Sequence, residues 1–351
     1  MILPQSYAVS VLILLVSLIC LGSWANTCKM GAAAKLRYEI YYADWIVGAF
    51  VCVAILGFTA GSLGFDGFSL RDDLMIAARK DWLLAFVAGT IFSLGNILLL
   101  ASVSLAGLAI AFPISFAVAQ CVATPIDYFV NHDRPVSFLA FGCCLDLAAA
   151  GIAAWLHHAL AAMRHEEVAR AGKAKSTRRP SPAKPIILAA AGGLLIGGAA
   201  PLADRAQVGE IGLGPYALSF LFTFGAAAAG LLWTLFLMNL PVEGEPLEIP
   251  EYFRRPWKRH VYGLAGGAVW GIGLVASLVP IAQALARGVS AGLPLSYALT
   301  QSAAVLVAVW GIAAWKELQG ADIRMTTLSG LMLLLLAGGI VVLALAPVFA
   351  G

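Results

Sequence analysis

Gly107-Leu-Ala-Ile-Ala-Phe-Pro113-Ile-Ser115-Phe116-Ala117-Val-Ala-Gln120 and Gly288-Val-Ser-Ala-Gly-Leu-Pro294-Leu-Ser296-Tyr297-Ala298-Leu-Thr-Gln301 are the two stretches that decide how this chain folds. Gly, Pro, Ser, an aromatic residue, Ala and Gln recur at the same spacing, at a constant offset of 181. Upstream, Gly89-Thr-Ile-Phe92-Ser-Leu-Gly95 matches Gly267-Ala-Val-Trp270-Gly-Ile-Gly273 at an offset of 178. Shared Ala and Gly are cheap in apolar sequence, but a shared Pro, Ser and Gln within apolar runs is not. The chain reads as a duplicated unit.

The surroundings of the two stretches give the class. Of 351 residues, 61% are hydrophobic and only 12% charged, against about 25% charged in a soluble chain. So few charges cannot cover a water-facing surface, and disorder, collagen and nucleic-acid binding each demand another composition. A membrane β-barrel would alternate apolar and polar residues in strands of about ten. Here the apolar runs are continuous, at 7–24, 45–63, 82–103, 107–130 and 137–155, then 185–203, 215–240, 261–286, 289–315 and 327–348. Each is long enough for about 30 Å of hydrocarbon at 1.5 Å per residue. The expected fold is an all-α polytopic membrane protein of ten transmembrane helices in two inverted five-helix repeats, 1–160 and 185–351. Neither Lys nor Arg precedes the first run and no small-residue cleavage site follows it, so it reads as a retained span.

Between the sets of five lies a basic linker, 161–184, carrying Arg164, Arg170, Lys173, Lys175, Arg178, Arg179 and Lys184. It reads as a cytoplasmic loop, with an anionic-lipid or phosphorylation switch as the alternative. Loops after the odd-numbered spans hold 16 of the 22 basic residues, which places them in the cytoplasm and both termini outside. Five spans per half is an odd number, so homologous halves lie inverted. Five of the six cysteines fall inside apolar runs without CxxC spacing and read as packing residues.

Inverted duplication is a device of secondary transporters, and Pro-interrupted segments in corresponding positions point to a substrate site near mid-bilayer. A Pro inside a membrane helix removes a hydrogen bond and leaves a carbonyl needing a partner. Pro113 and Gln120 lie seven residues apart, on one helix face, as do Pro294 and Gln301. With Ser115, Ser296 and Asn96 they form the candidate substrate site; the alternative is a pair of kinks with Gln as glue between helices. Asp146, about nine residues into its span, is a proton-coupling carboxyl or a structural acid bonded to a neighbouring helix. Asp127, beside Tyr128, reads as interfacial. The five histidines (His132, His157, His158, His165 and His260) sit at span ends, which argues against a His relay through the core.

Ten spans in two halves, with FPIS at 112–115 and LPLS at 293–296, resemble the drug/metabolite transporter superfamily, in particular its ureide permease and glucose/ribose porter branches. The ureide permease likeness rests on Gly22-Ser23-Trp24, Ser93-Leu94-Gly95-Asn96 followed by Gly107, Asp127-Tyr128-Phe129, and Trp310-Gly311-Ile312 with Glu317. The porter likeness rests on the Pro-Ile-Ser element. This chain has Asp where ureide permeases have Asn before Tyr-Phe, lacks the proline usual after Trp24, and has no long central loop with a phosphate-loop-like sequence. The resemblance implies a proton-coupled carrier of a small neutral solute such as allantoin, a nucleobase or a monosaccharide. It also implies aromatic residues in the first and eighth spans, so that Trp24 and Trp270 either wall the site or simply pack.

An intramembrane zinc peptidase would need HExxH and an aspartyl peptidase a GxGD setting; neither sequence is present. No filter-like run or ring of acids marks a channel. The reading is a secondary-active transporter working by alternating access in a cell membrane, as importer or exporter, and not an enzyme. A receptor-like or structural membrane protein is the reading of a different class. The expected partners are a small-molecule solute, the lipid bilayer and a coupling proton, without cofactor, metal or nucleic acid, in a monomer or homodimer.

Overall fold

A computed structural model describes residues 1–64, 66–131, 135–170, 182–208, 211–286 and 292–349. The helices are α1 (Tyr7–Ser23), α2 (Ala25–Ala33), α3 (Tyr38–Phe58), α4 (Leu70–Ile76), α5 (Arg79–Ala106), α6 (Leu108–Asn131) and α7 (Val136–Arg170). They continue as α8 (Ala183–Arg205), α9 (Pro215–Asn239), α10 (Ile249–Arg254), α11 (Trp257–Ala286), α12 (Gly292–Gln301), α13 (Ala303–Ala313) and α14 (Ile323–Leu345). Ten segments are long and apolar enough to cross a bilayer, the first made of α1 with α2 and the ninth running from Leu295 to Ala313 across α12 and α13. Among the described residues there is no strand. Helices satisfy their backbone groups internally, which hydrocarbon requires. This is a multi-pass membrane protein.

Side chains secure the helix starts. Ser6 accepts from the Val9 N–H at 3.3 Å, Ser69 from Asp72 at 3.3 Å and Asp322 from Met325 at 2.7 Å. Between α5 and α6 a single residue, Gly107, turns the chain at φ +89°, a conformation only glycine adopts without strain. Large apolar side chains such as Leu12, Ile19, Leu232 and Leu334 are exposed on the outer faces of their spans, where lipid is as good a solvent as protein interior.

Inside the bundle, glycines set the approach of the helices. A Cβ added at Gly48 would lie 2.3 Å from the Leu264 carbonyl oxygen, and one at Gly225 would lie 2.1 Å from that of Phe86. A Cβ at Gly267 would reach to 1.9 Å of the Trp45 carbonyl, and one at Gly89 to 1.9 Å of that of Phe222. So α3 meets α11, and α9 meets α5, backbone against backbone. Gly48 and Gly225 stand 177 apart in sequence, Trp45 and Phe222 also 177, Leu264 and Phe86 178, and Gly267 and Gly89 178. The two seams match residue for residue at offsets of 177 and 178.

Other pairings exchange in the same way when each span of one half is replaced by its counterpart. The α5–α8 packing corresponds to α11–α1, α6–α8 to α13–α1, and α6–α7 to the packing of α12 and α13 on α14. Three contacts, α3–α9, α6–α13 and α7–α14, join a span to its own counterpart.

Three bounds differ from the sequence reading. The second span begins at Tyr38 rather than residue 45, because Tyr38 to Ile46 is buried throughout even though it contains Glu39 and Asp44. The first span continues past Trp24 to Ala33. Helix α7 runs on to Arg170, ten residues into the expected linker, and 171–181 lie outside the described residues. The described cysteines are free, and Cys121 packs its Sγ on the Cys143 carbonyl at 3.7 Å.

Candidate substrate site

The centre of the molecule is aromatic. Helix α1 ends at Trp24 because two side chains just beyond it compete for its last carbonyls. Asn26 Nδ2 donates to the Ser23 carbonyl at 3.0 Å, and Thr27 Oγ1 to that of Trp24 at 2.7 Å. The Trp24 indole is buried at the break, 5.1 Å from the ring of Trp45 and 6.0 Å from Phe112, the neighbour of Pro113. Trp45 stacks on Tyr42 at 5.5 Å and lies 5.0 Å from Trp270. Trp270 stacks on Phe92 at 5.2 Å, and Phe92 lies 5.2 Å from Phe222. Six spans contribute to this centre, α1, α3, α5 and α6 from the first half and α9 and α11 from the second.

Polar groups sit on this wall. Tyr42 donates its hydroxyl to the Ser93 carbonyl at 2.8 Å, beside Ser93 Oγ at 2.9 Å. Asn96, one turn further along α5, is buried with no acceptor for its Nδ2, and Trp45 Nε1 is buried in the same state. Gln120 Nε2 on α6 is a third buried donor without an acceptor. Such groups are uncommon in a finished interior, where nearly every donor is bonded, and they are what a solute's carbonyl oxygens would engage.

The two repeated elements are placed differently. Pro113 is buried inside a continuous α6, with Ser115 and Gln120 buried after it. Pro294 stands third in α12, in a first turn whose N–H groups lack intrahelical acceptors, so it does not free a carbonyl as Pro113 does. Ser296 is buried and Gln301 half-buried. After Gln301 the ninth span breaks at Ser302, whose Oγ donates back to the Ala298 carbonyl at 2.7 Å. The two elements meet the rest of the bundle separately: α6 rests on α5, α7, α8 and α13, and α12 on α1, α11, α13 and α14.

Asp146 lies apart from this centre, in the seam between α7 and α14. It is fully buried, both oxygens lack a hydrogen-bond partner, and a Cβ at Gly339 would come within 2.2 Å of its Oδ1.

On the face carrying the loops after the odd-numbered spans, a cavity of about 320 Å³ is lined by Cys28, Lys29, Arg37, Tyr38, Tyr41 and Ser104, among others. Tyr41 is one turn before Trp45, so the cavity ends one turn from the aromatic wall. Charges frame it. Glu317 accepts from the N–H groups of Leu108 and Ala109 at 2.9 and 2.8 Å, at the start of α6, and pairs with Lys29 at 2.7 Å. Arg37 holds buried Glu39 at 2.7 Å and donates to the carbonyls of Glu243 and Glu245; the Glu39 carboxylate raises the Arg37 pKa further. At the opposite face, Asp73 accepts from the Gly214 N–H at 2.9 Å, and burial pushes its carboxyl from the usual 3.8 to about 6.

Sequence reasoning did not assign Tyr42, Trp45, Phe92 or Phe222 to the site, because apart from the Tyr42–Trp45 stack their ring contacts are long-range. It also missed Asp44, at the end of a Tyr-rich run, because the span was begun at 45. The short sequences behind the family resemblance prove to be points where the halves touch. Gly22 abuts Leu306, Ser23 accepts from Trp310 Nε1 at 3.2 Å, and Gly311 abuts Ala109 and Glu317.

A ten-helix membrane bundle with an aromatic, amide-bearing centre is the class of protein these features define. Residues 41–185 match the model of the ureide permease family. The chain is 22% identical over 147 residues to Ureide permease 4 of Arabidopsis thaliana, an alignment covering 40% of this chain and 37% of the relative. No solved structure matches.

Proposed function

We propose that this chain is a secondary transporter in the plasma or inner membrane, moving a small neutral polar solute of the ureide, nucleobase or sugar class by alternating access. The observation that carries the proposal is the aromatic wall at the centre, with the unaccepted N–H groups of Trp45 and Asn96 upon it. Flat faces suit a planar ureide ring, and buried donors suit its carbonyls. The ureide permease match over 41–185 supports the solute class. The paired glycine seams support a rocking mechanism between equivalent, inverted halves, as in the drug/metabolite transporter superfamily. In this reading Gln120, Gln301, Ser115 and Ser296, with Pro113 and Pro294, complete the site, and Trp24 and Trp270 wall it. The proton is the coupling ion in this reading. The loops after the odd-numbered spans hold 16 of the 22 basic residues, so in this reading the side of the 320 Å³ cavity is cytoplasmic.

Counterflow tests the proposal. Purified protein in liposomes preloaded with unlabelled allantoin, uracil or glucose should take up the labelled form of at least one of them transiently above equilibrium. A receptor or structural protein shows no exchange, and absence of exchange for all three would remove the transporter reading.

A further inference from the structure

Where α3 meets α11, at the basic face, two ionisable groups from opposite halves are clasped together. Asp44 is 1% exposed and His260 6%. His260 Nδ1 lies 2.9 Å from Asp44 Oδ2 and 3.0 Å from Oδ1, and Tyr252 of α10 donates its hydroxyl to Oδ1. The ring of Trp257 stacks on the imidazole at 6.4 Å, and that of Tyr252 meets it edge-on at 4.7 Å. Gly263 lets the helices close here, since an added Cβ would lie 2.4 Å from that of Asp44. Asp44 is about 9 Å along α3 from its start, at 1.5 Å per residue. An acid at such depth is expensive and is retained for a purpose.

We infer that Asp44 and His260 form the proton-binding site that couples solute movement to the proton gradient, an inference that rests on the transporter reading above. In the unloaded state neutral His260 donates Nδ1–H to the Asp44 carboxylate, and the cluster carries one negative charge. Loading adds one proton at Nε2, giving an imidazolium–carboxylate pair of zero net charge; release returns that proton to the other side. Histidine changes charge in the physiological range, and its second nitrogen keeps the bond to Asp44 in both states. Asp44 immediately precedes Trp45, so the state of the clasp is felt at the aromatic wall.

Other titratable and charged groups surround the pair. From α3, Tyr41 faces it one turn earlier and bonds Thr27 of α2 at 2.7 Å. From α10, beyond Tyr252 itself, Glu251 pairs with Arg255 at 3.7 Å. On α11, Lys258 is exposed and Arg259 lines a surface groove with Glu251, Arg254 and Arg255. The residues of that groove neighbour both Tyr252 and His260 in sequence.

The test uses liposomes holding the wild type, His260→Gln, Asp44→Asn or Asp146→Asn, with labelled allantoin, uracil and glucose as probes and a lumenal pH dye. One-for-one coupling accumulates solute about tenfold per pH unit of gradient. The wild type and Asp146→Asn should accumulate to that extent from the acid side and acidify the lumen. His260→Gln and Asp44→Asn should exchange solute at matched pH yet neither accumulate it nor move protons. The inference is overturned if these two variants accumulate like the wild type, if they lose exchange while still folded, or if the wild type exchanges without responding to the gradient. Failure of the wild type to exchange any of the probes defeats the transporter reading itself.

Discussion

Gln120 and Gln301 occupy equivalent positions in the two repeats but different surroundings: one is buried with an unaccepted Nε2, the other half-buried at the end of α12. A buried amide that binds solute costs about 1–3 kcal/mol when its partner is lost, roughly a 5–150-fold change in affinity. Gln120→Ala should weaken solute binding by that order, measured as solute-dependent thermal stabilisation, and Gln301→Ala by the same or less. Unchanged affinity in both would make them helix glue. Asp73 offers a prediction in the pH dimension. Its carboxyl titrates near 6 when folded and near 3.8 when unfolded, so the folded state holds the proton more tightly between those values. Stability from this group is therefore fully present below about pH 4 and is lost as pH rises through 6. Asp73→Asn keeps an acceptor for the Gly214 N–H and should flatten that part of the profile of thermal midpoint against pH. Which residues carry a site was only partly legible at this scale. The repeat exposed Gln120 because it recurs; Trp45 recurs only as Phe222, which a search for identities passes over.

Helices were legible to within a few residues wherever apolar character falls sharply at their ends. They were not at Tyr38–Asp44, where hydroxyls and carboxyls imitate a loop yet find partners, Tyr42 on Ser93 and Asp44 on His260 in neighbouring spans and Glu39 on Arg37 beside it. Tertiary bonds of this kind have no local signature. Glu317 shows the same at a helix end, since it closes the first turn of α6 from 209 residues away. Glu317→Gln keeps an oxygen for one N–H but loses the charge that holds Lys29 and the second N–H. A cost of about 1–3 kcal/mol is expected, read as a lower thermal midpoint of the purified protein. Glycine substitution tests the seams. Gly267→Val and Gly89→Val should each destabilise by at least about 1–3 kcal/mol, because the new side chain meets backbone that cannot yield. Gly151→Val, with nothing within 4 Å of its added Cβ, should stay within about 0.5 kcal/mol of the parent.

At the scale of the whole molecule, the ten spans could be read from the sequence, because each is a long apolar run. Arg37 bonding to the 243–245 loop, Arg164 to the Glu317 carbonyl and Lys184 to that of Val242 bring the loops after the first, fifth, seventh and ninth spans onto one side. A cysteine at Glu245, in an otherwise cysteine-free protein, should resist impermeant thiol reagents in intact cells, while one at Phe68 on the opposite face should react. The reverse pattern would invert the orientation. The glycine seams have a mechanical consequence as well. Where two backbones touch with no side chains between them, there are no rotamers to reshuffle when one helix turns on the other. Pulling such helices apart would instead strip close-packed backbone of its neighbours on both sides. Were the two halves to reorient, the α3–α11 and α5–α9 seams would serve as a pair of bearings, permitting rotation and resisting separation.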